Sequence, residues 1–322
     1  MASLSNLKKQ ISGVRGIGQI MTAMELVAAT KMRKSQEVAL RSRFYAFEAL
    51  EMLGNIANFI SSETNSFISQ SDSQQMFFSR ETKKTMVLLV TSDKGLVGSF
   101  NSAVIKKLDR FLKDNQKDLI DGKFVFAAIG QKGVNYLQKR GFEPVKAFSN
   151  YSDIVNLEEV IELADTLKQG YESNQWDRII SFSTNFTSVF KQDVVERQIL
   201  PFNAEHIRKT IENIIPDTGK YSELKKEIMK ERINLPMDYI VEPSPQELLN
   251  NFLPHLLRIQ IYHLMLEANA SEHSSRRMTM KNASDNAKEL TDNLTLTYNK
   301  SRQELITREL TEMAGTMAAI NN

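Results

Sequence analysis

Apolar residues at the start of the chain recur at steps of three and four: Leu4, Leu7, Ile11, Val14, Ile17, Met21, Met24 and Ala28. That spacing predicts a helix with a narrow apolar seam of the coiled-coil type. Ser3 or Ser5 is placed to cap its start. Gly13, Gly16 and Gly18 weaken it, so support from tertiary packing is expected. The pattern carries the helix from about Leu4 to Ile60, on the order of 80 Å. A second series closes the chain. Met280, Ala283, Ala287, Leu290 and Leu294 repeat the step, and Ile306, Leu310, Met313, Met317 and Ile320 resume it after the polar stretch "TYNKSRQEL". All seven prolines lie between Pro144 and Pro254, and only Gly315 follows them. A continuous helix from Pro254 to Ile320 would measure roughly 100 Å.

Helices of that length at both ends predict an antiparallel coiled coil. The alternative is a set of shorter helices broken at "GVRGIG" and near "ASEHSSRR".

Between them the pattern changes to alternating strand and helix. "TMVLLVTS", "KFVFAAIG", "RIISFSTNFTS" and "QDVVERQILPF" read as strands, the last two antiparallel. "SAVIKKLDRFLKDN", "QKGVNYLQKRG" and "NLEEVIELADTLKQGYES" read as amphipathic helices. This order implies a mostly parallel sheet covered on both faces. The expected domains are residues 1–60 (helix), 61–84 (linker), 85–245 (α/β domain, with 203–236 as a surface insertion) and 246–322 (helix).

Composition narrows the chemistry. The chain of 322 residues carries a net charge of +2, which gives no general pull toward nucleic acid or an anionic membrane. It has no cysteine, which removes disulfides, thiolate metal sites and cysteine nucleophiles. "MASLSNLKKQ" lacks the apolar core of a secretory signal, and runs such as "MVLLV" are too short to span a bilayer. His206, His255, His263 and His273 match no zinc spacing; His255 and His263, eight apart, suit packing or capping better than ligation. Lys31, Arg33, Lys34, Arg41 and Arg43 cluster without aromatic residues between them, which favours a solvated or partner-facing helix side over a nucleic-acid surface.

The turn "TSDKGLVGSFN", Thr91 to Asn101, has the outline of a phosphate cradle, with Gly95 and Gly98 between a strand and a helix. It completes neither the P-loop nor the dinucleotide fingerprint, and Lys94 precedes both glycines. A tight strand-to-helix turn is the competing reading. No cofactor, metal or catalytic residue is predicted. A nucleotide-binding α/β enzyme with helical arms remains as the alternative.

Four stretches resemble the gamma subunit of F-type ATP synthases of bacterial type: "TAMELVAATKMRKSQ" from Thr22, "TSDKGLVGSFN" from Thr91, "DYIVEPSPQELL" near Pro243, and the long segment from Glu267 to Thr316 that begins "EANASEHSSRRMTMKN". The resemblance implies a Rossmann-like α/β domain inserted in an antiparallel coiled coil. It implies a non-catalytic central shaft that carries torque between a proton-driven c-ring and an alpha/beta hexamer, with the epsilon subunit as a further partner. Location at the cell (inner) membrane follows, peripheral and on the cytoplasmic side. Carried over by position, the resemblance puts Met24, Arg258 and Gln260 against the hexamer. Glu272 and His273 would face either the N-terminal helix or a hexamer loop. Ile306, Leu310, Met313, Met317 and Ile320 would form the shaft tip in an apolar bearing. Asn203, Glu205 and His206 would lie toward the c-ring and epsilon. The chain departs from the family pattern in the glycines of "GVRGIGQIMTAM", in the length of 203–236, and in lacking a plant-type regulatory cysteine insert.

Overall fold

The structure is a computed structural model describing residues 4–62, 76, 80–151, 155–202 and 245–320, with the side chains of 39–51, 53–62, 245, 246, 248, 249 and 318–320 outside the description. The linker from Ser61 to Gln75 lies largely outside these residues. So do the 203–236 insertion, with Asn203, Glu205 and His206, and the side chain of Ile320.

Helix α1 (Leu4–Ser62) is followed by β1 (Thr85–Val90), α2 (Phe100–Asp114), α3 (Gln116–Ile120), β2 (Phe124–Ile129), α4 (Gln131–Lys139), β3 (Lys146–Phe148), α5 (Leu157–Glu172), β4 (Arg178–Phe186) and β5 (Gln192–Leu200); helix α6 (Pro245–Ile320) closes the chain. Both terminal helices are continuous, so "GVRGIG" and "ASEHSSRR" do not break them.

Helix α6 begins at Pro245, one residue before the expected 246–322 segment and nine before Pro254, from which its continuous length was counted; Pro254 lies inside it. Proline is well suited to a first helical turn, where its missing N–H is no loss. An internal proline costs about 3 kcal/mol. Burial of Leu253, Leu256 and Leu257 around Pro254 supplies an offsetting contribution.

The chain forms two compact units, residues 1–29 with 276–322, and residues 30–275. The larger holds a five-stranded sheet in the order β3-β2-β1-β4-β5. Strands β1, β2, β3 and β4 run parallel, and β5 pairs antiparallel with β4. Strand β1 is buried along its whole length, as expected of a central strand covered on both faces. Met86, Leu88 and Val90 join one core with α5 and α6; Val87 and Leu89 join the other with α2 and α4. Strand β3 and helix α3 escaped the sequence pattern. Three strand residues after Pro144 show no alternation, and five helical residues make little more than one turn.

In the smaller unit the two long helices pack antiparallel. Thr22 Oγ1 lies 2.8 Å from Ser284 Oγ, and a Cβ at Gly18 would meet the Ala287 Cβ at 3.3 Å. The seam differs from the expected one in three places. Ile17 is 54 % exposed, and Gly18 occupies the seam instead. Leu290 is 49 % exposed, while Thr291 is buried. A heptad seam alternates steps of three and four. From Ile11 and Val14 that alternation lands on Gly18, and on α6 it runs through Met280, Ser284, Ala287 and Thr291, with Ser284 in place of Ala283. Thr291 Oγ1 donates to the Ala287 carbonyl at 2.7 Å, so its hydroxyl is satisfied inside its own helix.

Candidate partner-contact surface

The register that joins Gly18 to Ala287 brings Leu4 level with about Ser301. Beyond that point α6 continues with nothing against it among the described residues, and 302–317 are exposed on every side. Ile306, Leu310, Met313 and Met317 fall at steps of four, three and four, with exposures of 45, 58, 54 and 69 %. They form one face of the helix. Arg302, Glu304, Arg308, Glu309 and Glu312 interrupt them, and Arg308 pairs with Glu312 at 2.9 Å in solvent. A contiguous apolar stripe of this kind marks an interaction surface. Helix α1 carries a shorter one off the seam, at Ile17, Ile20 and Val27, with Met24 partly buried beside it.

The other carried-over residues have different settings. The Arg258 guanidinium donates to Asp165 Oδ1 from Nε at 3.1 Å and from Nη2 at 2.8 Å, fastening α6 to α5. Gln260 is partly buried, and its Oε1 has no hydrogen-bond partner among the described residues. Glu272 is partly buried, whereas His273 is enclosed. Sequence reasoning missed a buried charged group on the same helix. Glu267 Oε2 accepts from Arg197 of β5 at 3.2 Å, and Glu267 Oε1 lies 3.1 Å from His263 Nε2. The four-residue spacing of His263 and Glu267 was the available signal. Arg197, 70 residues away, had none.

The glycine-bearing turn is tied into the fold through several of its polar side chains. Thr91 Oγ1 donates to the Ile129 carbonyl and accepts from Gly133 N. Asn101 Oδ1 accepts from Ser92 N, and Asn101 Nδ2 donates to Ser92 Oγ. Asp93 accepts from the backbone of Gln131 and of Asn150, both at 2.9 Å. Ser275 of α6 donates to the Val97 carbonyl at 2.6 Å. At Gly130, where φ is +87°, an added Cβ would stand 2.2 Å from the Thr91 carbonyl oxygen, so no side chain fits there. The side chains of Thr91, Ser92, Asp93 and Asn101 are engaged within the chain, and Lys94 is exposed. The strand-to-helix turn is the reading this geometry supports.

Among the described residues no cluster of His, Asp and Glu suits a metal ion, and no helix is long and apolar enough to cross a membrane.

The family model described as ATP synthase matches residues 3–320. The ATP synthase gamma chain of Geotalea daltonii is 34 % identical over 313 residues, covering 97 % of each chain. That of Chlorobium phaeobacteroides is 31 % identical over 321 residues, covering 99 % of each. Among solved structures, a chain of the Euglena gracilis mitochondrial ATP synthase (OSCP/F1/c-ring, rotational state 3) has a TM-score of 0.61 at 16 % identity, covering 98 % of this chain and 94 % of that one. A chain of the Tetrahymena thermophila mitochondrial ATP synthase central stalk and c-ring has a TM-score of 0.56 at 24 % identity, covering 82 % of this chain and 99 % of that one. At those identities the solved structures speak for a shared fold. The family model and the end-to-end relatives go further: the chain belongs to the ATP synthase gamma chain family.

Proposed function

We propose that this chain is the central rotor shaft of an F1Fo ATP synthase. It carries torque between the c-ring and the alpha/beta hexamer and has no active site of its own. The observation that carries the reading is the uncovered apolar stripe from Ile306 to Met317 on a helix that runs unbroken from Pro245. Apolar contacts are non-directional. An apolar bearing around such a tip holds it without the angular preference that hydrogen bonds would impose.

In this reading Ile306, Leu310, Met313, Met317 and Ile320 sit in the bearing. Met24, Gln260 and Glu272 face the hexamer. Asn203, Glu205 and His206 lie toward the c-ring and the epsilon subunit. Arg258 and His273 act through the shaft's own packing, holding α6 rather than reaching a second chain. The complex holds the chain at the cytoplasmic face of the cell membrane, without insertion of its own.

Co-expression with alpha and beta subunits tests the reading. The full chain is expected to co-purify with the hexamer, and a chain ending at Leu305 to be retained more weakly. Failure of the full chain to co-purify refutes the proposal. Equilibrium dialysis of the isolated chain against ATP is expected to show no binding; saturable binding lost on Lys94→Ala would restore the enzyme alternative.

A further inference from the structure

We propose that the cleft between β3 and α5 is a binding site for a small carboxylate with a compact apolar or aromatic body. The cleft is partly open to solvent and has a volume of about 140 Å³. Its floor is apolar: Met86, Leu167 and Trp176 are almost fully buried, and Phe148 nearly so. It lies beside the edge strand β3, which is only three residues long. Gly170 shapes one wall, since a Cβ there would stand 1.8 Å from the Trp176 ring. Helix α5 therefore lacks a side chain where the indole lies. The indole is fixed by donation from Nε1 to the Leu167 carbonyl at 3.1 Å.

The mouth supplies the polarity. Lys146, Thr166, Gln169 and Gln175 are the polar lining residues, and no acidic residue lines the cleft among the described residues. Lys146 is exposed and has no acidic partner among the described residues. An ammonium over an apolar floor with no competing carboxylate selects an anion with an apolar body. Size restricts the body further, since an apolar cavity of roughly 150 Å³ is enough for benzene. A single ring or a branched chain of similar bulk fits; a nucleotide does not. The site is remote in chemistry from the turn at Thr91 and does not depend on the rotor reading.

The test uses the full chain. Trp176 is its only tryptophan, so indole fluorescence and the indole N–H resonance report on the cleft without labelling. Benzoate is the probe, and benzyl alcohol is its neutral counterpart of the same size. Benzoate is expected to give a saturable response at Trp176, with a Kd below about 1 mM. Benzyl alcohol should bind at least about fivefold more weakly, and Lys146→Ala should weaken benzoate by about the same factor while leaving benzyl alcohol unchanged. Lys146 is exposed, so the variant is expected to fold; the two-ligand comparison in the unmodified chain stands without it. No saturable response up to about 10 mM overturns the proposal. So does benzyl alcohol binding as tightly as benzoate, or benzoate binding unaltered by Lys146→Ala.

Discussion

Alanine at Gly13 and Gly16 together is expected to stabilise the paired helices, whereas alanine at Gly18 is not. All three glycines sit inside α1. A Cβ at Gly13 or Gly16 meets no atom within 4 Å, so neither position needs a glycine for space. Glycine in a helix interior costs about 0.5–1 kcal/mol relative to alanine, through the backbone freedom it loses on folding. The double variant therefore adds about 1.5 kcal/mol to the local stability of this part of α1. Gly18 differs because its Cβ would approach the Ala287 Cβ at 3.3 Å, inside ordinary van der Waals contact. The helices must then part by a few tenths of an ångström, losing packing that offsets the propensity gain.

Native-state hydrogen exchange reads the difference by position. Amides of α1 between Leu4 and Glu25 are expected to exchange about tenfold more slowly in the double variant, since 1.4 kcal/mol is about a factor of ten. Those beyond Ala28 should not change. In Gly18→Ala the same amides should exchange at the original rate or faster. Unchanged exchange in the double variant, or equal slowing in Gly18→Ala, would refute the argument that packing explains one glycine and not the other two.

Three further outcomes are expected. The described side chains removed by ending the chain after Leu305, those of 306–317, are all exposed, so denaturant unfolding of the 30–275 unit should be unaltered, while affinity for the alpha/beta hexamer falls. The four apolar side chains of the tip are each about half exposed and contribute about 1 kcal/mol apiece, an upper bound of roughly 10³-fold before the costs of association. Glu267→Gln leaves the buried Arg197 without its counter-charge and should cost about 3–5 kcal/mol in urea unfolding; replacing both partners with apolar residues of similar volume should cost clearly less. Gly170→Ala drives a methyl into the Trp176 ring and should destabilise by about 1–3 kcal/mol, with a shift in indole emission showing the ring displaced.

What the sequence made legible follows from range. Both long helices could be read because their periodicity extends over tens of residues. The seam was read one residue off at Ile17 and Leu290, because Gly18 and Thr291 are not apolar and so were invisible to a count of apolar positions. Glycine enters there by allowing close approach, and threonine by bonding to its own helix. Pro254 was taken as a helix start because local preference forbids an internal proline, while the packing that permits it comes from residues distant in sequence. The same limit hid the Arg258–Asp165 pair, 93 residues apart, and the Arg197–Glu267 pair. Each joins elements whose adjacency is set by the sheet order.

Helix α6 changes its chemistry along its length in the way a shaft requires. From Leu253 to Ser275 it is fixed to the α/β unit by directional bonds as well as burial. Arg258 holds Asp165 of α5, Glu267 holds Arg197 of β5, Ser274 donates to the Val189 carbonyl in the β4–β5 turn, and Ser275 donates to the Val97 carbonyl in the turn after β1. Four attachments to four different elements resist rotation of the helix about its own axis, because turning it breaks all of them together. From Ile306 to Met317 the helix offers apolar side chains instead, and the one ion pair there among the described residues is internal, Arg308 with Glu312. A surface of that kind resists being pulled from an apolar sleeve far more than it resists turning within one. The signature turn at Thr91 belongs to the first set: its Val97 carbonyl receives Ser275 of α6, while its Thr91 hydroxyl ties it to β2 and α4.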